Sequence, residues 1–153
     1  MQPGDVLFNN TNSVELVGKT ALVRTALKAA FSNHITRIRT NHEECTGEWL
    51  ALTLNSLWRQ GFFRHRCNKW IGQAGYNTEA LRDTPIPLPP LDEQRRIVAR
   101  LEELMSRVRE AKRLRQQAKE DAERLMQAAL AETFPRPGTE PPPGWRWVRL
   151  GEV

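Results

Sequence analysis

Between residues 92 and 129 the apolar side chains return in steps of four and three. They fall at Ile97, Leu101, Leu104, Val108 and Ala111, and after a break at Arg115 they resume at Ala118, Ala122, Leu125 and Ala129. That spacing is a heptad seam, which keeps one helix face turned toward a partner helix. Val98, Met105, Leu114 and Met126 widen the seam locally, and Asp92 and Glu93 stand in the first turn, where the helix dipole favours acids. A helix over residues 91–133 is predicted, about 60 Å long at 1.5 Å per residue. An amphipathic helix ordinarily packs on its own domain. The 90 residues that precede this one are too few to cover such a stripe. The seam therefore predicts a coiled-coil or bundle partner outside the domain, and its alanines would let that partner come close.

Immediately before the helix stands "TPIPLPP" (84–90), with four prolines in six residues. Proline fixes φ and pushes the residue before it toward extended structure. The segment predicts a stiff strap that also stops the helix from growing backward.

Residues 1–83 predict a mixture of strands and helices. "DVLFN" (5–9), "KTALVRT" (19–25) and "HITRIRT" (34–40) carry the apolar and β-branched residues of strands. "NNTNS" (9–13) predicts a polar turn. "GEWLALTLNSLWRQGFF" (47–63) has helical spacing at Leu50, Leu54, Leu57 and Trp58, ending near Gly61. "IGQAGYNTEAL" (71–81) predicts a glycine-containing loop followed by a helical turn. After the long helix, Pro135 and Pro137 open a proline-rich linker, and "WRWVRLGEV" (145–153) predicts the first strand of another structured unit.

No apolar run reaches the roughly 18–20 residues of a membrane span, and the first ten residues lack the pattern of a secretory signal. With only Cys45 and Cys67 there is no disulfide framework. These features predict a cytoplasmic protein with reduced thiols. The net charge of +5 favours a polyanionic partner only weakly, but its distribution is informative. Residues 49–78 contain no acid and hold Arg59, Arg64, Arg66 and Lys69.

Catalytic readings find little support. "HEEC" (42–45) and "HRC" (65–67) place a histidine beside each cysteine, but no local feature suggests activation or an oxyanion site. Their spacing matches no common zinc signature. Phosphate-binding glycine loops are absent. Nucleic-acid binding is better supported. "WRQGFFRHRCNKWIGQAGYN" (58–77) interleaves its four cations with Trp58, Phe62, Phe63, Trp70 and Tyr76. Cations neutralise phosphates, and amides such as Gln73 and Asn77 suit adenine edges. The same pattern also suits a basic helix end whose aromatics belong to the core. "NNTNS" and Lys19 are likewise either DNA-facing or merely solvated.

The block "IPLPPLDEQRRIVARLEEL" (86–104) resembles the signature closing a target recognition domain in the DNA specificity subunit of type I restriction–modification systems. "PGDVLF" (3–8), "VGKTALV" (17–23), the helix from Gly47, "GQAGYNTEALRDTPIPLPP" (72–90) and "PPGWRWVRLGEV" (142–153) resemble other blocks of that family in the same order. The resemblance implies an α+β fold: a partial recognition domain with a small mixed sheet (1–90), then a long coiled-coil-forming spacer helix (91–134). A proline-rich linker (135–144) and the opening of a second recognition domain (145–153) would follow.

The resemblance also implies function. Each recognition domain reads half of a split site in double-stranded DNA, and the helices act as a ruler and dock the modification subunits. Those subunits bring S-adenosylmethionine; this chain itself takes no cofactor or metal and catalyses nothing, and a restriction subunit completes the complex. The DNA-binding residues expected are Asn10, Thr11, Asn12, Ser13, Lys19, Arg64, Arg66, Lys69, Trp70, Gln73, Tyr76 and Asn77. Compared with the family, the chain opens midway through a recognition domain, which implies an internal piece with exposed sheet edges. The alternative is a helical interaction module that pairs with itself or a full-length subunit and reads no DNA.

Overall fold

Val6 and Phe8 are fully buried while Leu7 and Asn9 are half-buried, the alternation of a strand with one face on a core. This strand, β1 (Val6–Asn9), is the centre of a computed structural model that describes residues 1–153. Its neighbours are β3 (Thr20–Leu22) and β4 (Ile35–Ile38), both antiparallel, giving the order β3-β1-β4. A second antiparallel sheet has the order β2-β6-β5, from β2 (Thr11–Asn12), β5 (Asn68–Trp70) and β6 (Gln73–Gly75). The α+β class expected from the sequence is the class that folds, but the sheet is not mixed. Parallel pairs need long crossover connections, and every pairing here is antiparallel.

Helix α1 (Gly47–Arg59) begins at Thr46, whose hydroxyl accepts from the Trp49 N–H, a normal N-cap. It buries Leu50, Ala51 and Leu54 against β1 and closes before Gly61, as its spacing predicts. Asn55 on this helix does a strand's work. Its amide donates to the Thr20 carbonyl at 2.8 Å and accepts from the Thr20 N–H at 3.2 Å, occupying the outer edge of β3. Helix α2 (Phe62–Arg66) follows, and Phe63 enters the core edge-on to Phe8 and Tyr76, each at 5.1 Å between ring centres. Helix α3 (Thr78–Arg82) is capped by the Asn77 side chain.

The strap then runs to α4 (Leu91–Thr133), one continuous helix of 43 residues. Trp49 holds the strap by donating its indole N–H to the Pro87 carbonyl at 2.9 Å. The beginning of α4 is fixed by Gln94, which is 0% exposed. Its side chain accepts from the Thr46 N–H at 3.0 Å and donates to the Glu44 and Pro89 carbonyls at 2.7 and 2.8 Å. Val98, one turn on, is buried. Beyond it Leu101, Leu104, Val108 and Leu125 are exposed, so the predicted seam has no partner within the chain. Pairs such as Glu93–Arg96 and Glu110–Arg113 line the rest of the surface at i,i+3 spacing.

The chain divides into two compact units, Met1–Glu103 and Leu104–Val153. In the second, the Phe134 and Trp145 rings meet at 6.4 Å, and the Trp147 indole donates to the Thr139 carbonyl at 2.9 Å. Residues 145–149 are not a strand, and Leu150–Glu152 form a single 3₁₀ turn. A strand needs a neighbour for its backbone groups, and none pairs with this segment.

Candidate nucleic-acid interface

Core packing decides which residues of the basic stretch face outward. Phe63 is fully buried, so its neighbours Arg64, His65 and Arg66 lie on the exposed side of α2. Ala74 and Tyr76 of the β6 region are also buried, at 0% and 6% exposure. Tyr76 packs against Phe8 and Phe63, and its hydroxyl meets the Ala80 carbonyl at 3.2 Å and the Thr84 hydroxyl at 2.9 Å. The expectation that Tyr76 faces DNA gives way to a core role, because both its ring and its hydroxyl are engaged within the fold.

Asn10 is half-buried, and of its side chain only the NH₂ is engaged. Its amide donates to the Asn33 carbonyl and the Thr36 hydroxyl, and its backbone bonds with His34 and Tyr76. "NNTNS" is not only a turn, since Thr11 and Asn12 pair with Gly75 and Ala74 as β2. Ser13 starts the turn that follows; its carbonyl accepts from Leu16 and Val17. Asn77 is exposed, but its side-chain oxygen is committed to capping α3.

The glycine loop expected near residue 71 is a hairpin. β5 and β6 pair from Asn68↔Gly75 to Trp70↔Gln73, joined by Ile71 and Gly72. Gly72 has φ +75°, the positive φ that the third position of a type II turn requires. Trp70 is held in place although it is 52% exposed. Its indole donates to the Gln73 side-chain oxygen at 3.3 Å, and its ring lies so close over Gly75 that a Cβ there would fall 2.6 Å from it. Strand alternation sets Thr11, Asn68, Trp70 and Gln73 on one face of this sheet and Asn12 and Lys69 on the other. The expected residues are thus divided between two faces.

Two of the expected cations sit on aromatic rings. The Arg66 guanidinium lies 4.0 Å from the Phe62 ring centre, and Lys19 Nζ lies 5.5 Å from that of Trp58. Trp58, Arg59, Gln60, Arg64 and Glu15 line a concavity of about 330 Å³. The main chain and Ser13 hold the Glu15 carboxyl below its usual range, with Arg64 a smaller influence. A second concavity of about 460 Å³ lies beside β4, with Arg37, Arg39 and Arg82 among its walls. Burial pushes the Cys45 thiol up, away from the reactive thiolate.

Two residues were absent from the sequence-based set. Gln94 carries a readable signal, a lone amide on the stripe Leu91, Gln94, Val98, Leu101. Ile71, at the hairpin apex, is 102% exposed and is a single apolar residue with no periodic partner to mark it in the sequence.

The comparisons with known proteins agree with one another. The family model described as type I restriction modification DNA specificity domain matches residues 2–120. A Methanocaldococcus jannaschii protein assigned as the MjaX specificity subunit of a type I restriction enzyme is 31% identical over 97 residues, covering 61% of this chain and 22% of that protein. Among solved structures, one from work on complex assembly and conformational transition of the type I restriction–modification system superposes at TM-score 0.79 with 44% identity. The HsdS subunit of Thermoanaerobacter tengcongensis superposes at 0.64 with 43% identity. Each covers all of this chain, which spans 39% of each of those two chains.

Proposed function

Because the chain belongs to the family of type I restriction–modification DNA specificity domains, we propose that it reads duplex DNA and positions partner subunits on it. It reads half of a split site, and the modification and restriction subunits of the cytoplasmic complex carry the S-adenosylmethionine chemistry and the cleavage. The observation that carries this reading is the outward set Arg64, Arg66 and Lys69. They lie in a stretch of 30 residues without an acid, backed by Phe63 and Ala74 in the core. Phosphate contacts of this kind supply affinity without sequence information, and side chains at base edges supply the selectivity. The test is selection from a randomised duplex pool by the full chain, alone and with modification subunits. A recovered consensus supports the reading. Binding that shows steep salt dependence but no consensus in either setting limits the chain to phosphate contact.

A second role rests on the exposed seam of α4. Leu101, Leu104, Val108, Leu125 and the small Ala111, Ala118, Ala122 and Ala129 form an apolar face, with Ile97 half-buried at its start. We propose that this face pairs with a helix of a second copy or of a larger subunit. The two roles are compatible, since a self-paired chain presents two identical reading surfaces and a palindromic target.

A further inference from the structure

Ile71 is a branched apolar side chain placed where the fold gains nothing from it. Turn apices ordinarily carry glycine, proline, asparagine or aspartate. Ile71 is 102% exposed, and its turn partner Gly72 has no atom within 4 Å of where a Cβ would stand. A lone exposed apolar residue needs no explanation by itself. Its setting is what points to a ligand. Lys69 stands two residues before it on β5 and Arg66 ahead of the strand, both exposed. On the other flank, the Gln73 side-chain oxygen is held by Trp70, leaving its NH₂ group unbonded within the chain. A hydrophobic tip with a polar amide beside it and cations behind it complements a surface with phosphates at its rim and both polar and methyl groups at its floor.

Dimensions choose the groove. The sheet loses its third strand at Asn12, opposite Ala74, so the hairpin beyond that point is a two-stranded ribbon. Two strands lie about 4.8 Å apart between backbones, and side chains add to that width. A minor groove of about 6 Å excludes such a ribbon, whereas a major groove of about 12 Å admits it. From the level of Ala74 to the apex is two residues, roughly 7 Å of rise, against a major-groove depth of about 8.5 Å. The backbone stops about 1.5 Å short of the floor, a gap that the exposed Ile71 side chain is long enough to span.

Resting on the reading of this chain as a duplex-DNA binder, we propose that the β5–β6 hairpin enters the major groove and that Ile71 reads an A·T pair by packing on the thymine C5-methyl group. The Gln73 amide is then beside the same step, where its NH₂ can donate to a purine N7. Ile71 is a specificity-determining residue, and Lys69 and Arg66 seat the hairpin on phosphates.

The test uses a duplex recovered by the full wild-type chain from the randomised pool, with each thymine in turn replaced by deoxyuridine, which lacks only the methyl group. One position should weaken wild-type binding about fourfold, the value of one buried methyl group. The Ile71→Ser chain should bind the thymine duplex more weakly and lose its sensitivity to deoxyuridine at that position. Because Ile71 touches nothing in the fold, its melting temperature should match wild type. Unchanged affinity and consensus in Ile71→Ser overturn the proposal while the DNA reading stands. So does a deoxyuridine penalty that persists in the variant, a variant that binds weakly with no penalty anywhere in wild type, or a consensus lacking thymine. A wild-type chain that binds no duplex removes both readings together.

Discussion

The side-chain oxygen of Gln94 accepts the backbone N–H of Thr46 at 3.0 Å, joining the first turn of the long helix to the residue that caps α1. The same amide donates to the Glu44 and Pro89 carbonyls, so three main-chain groups from two segments depend on one buried side chain. This is the physical answer to why a proline strap precedes a long helix. The strap brings Leu91 to a fixed place, and Gln94 locks the helix there.

Replacing Gln94 with leucine keeps the volume and removes all three bonds. Each main-chain group left buried without a partner carries a desolvation cost, and the expected loss is about 3 kcal/mol. Urea unfolding of the Gln94→Leu chain measures it. A change near zero would mean that water reaches these groups and the amide is not a lock.

Asp5 behaves as a pH-dependent staple. It is 1% exposed, and both its oxygens accept from Arg39, at 2.8 and 3.1 Å. The Arg39 hydrogen bond, with one from the Gln2 N–H, lowers its pKa from 3.8 to about 2. A carboxylate whose folded pKa is depressed contributes stability above its unfolded pKa and loses it as pH falls toward the folded one. Thermal stability should therefore fall between about pH 4 and pH 2 in wild type. Asp5→Asn should be less stable at neutral pH and show a flatter profile in that window. Parallel profiles for the two proteins would show that other carboxylates govern acid unfolding.

The parts of this fold that depend on a side chain's own pattern were legible in the sequence. β1, α1 and the seam of α4 repeat apolar residues at the period of the element, while β3 and β4 were legible from their apolar and β-branched content rather than from strict alternation. β2, β5 and β6 were not legible, because they are two or three residues long and owe their existence to pairing with one another. β5 is wholly exposed, so it leaves no alternation to read. The candidate interface was half legible for the same reason. Cations and aromatics interleave over residues 58–77, but spacing alone does not say that Phe63 and Tyr76 turn inward while Trp70 stays out.

Lys69 tests the phosphate contribution separately from base reading. Its side chain is exposed, on the opposite face of the hairpin from Trp70 and Gln73. Lys69→Ala should weaken binding to all duplexes alike and reduce the slope of log affinity against log salt by about one. The recovered consensus should stay the same. An altered consensus with an unchanged slope would move Lys69 from the phosphates to the base edges.

The seam of α4 makes the last prediction. Leu104 and Leu125 occupy two positions of the heptad pattern and are both exposed. A helix with this much uncovered apolar face in water gains by pairing, since burying one leucine is worth about 2 kcal/mol. Aspartate at either position would put a charge into that interface, where it has no partner and a high desolvation cost. Leu104→Asp and Leu125→Asp should each lower the mass measured by sedimentation or light scattering toward that of a single chain. The helix itself should persist, because both positions lie outside the contacts of Gln94 and Val98 that anchor its first turns. If wild type is already monomeric and gains mass only when modification subunits are added, the partner is one of those subunits. The same substitutions should then abolish that gain.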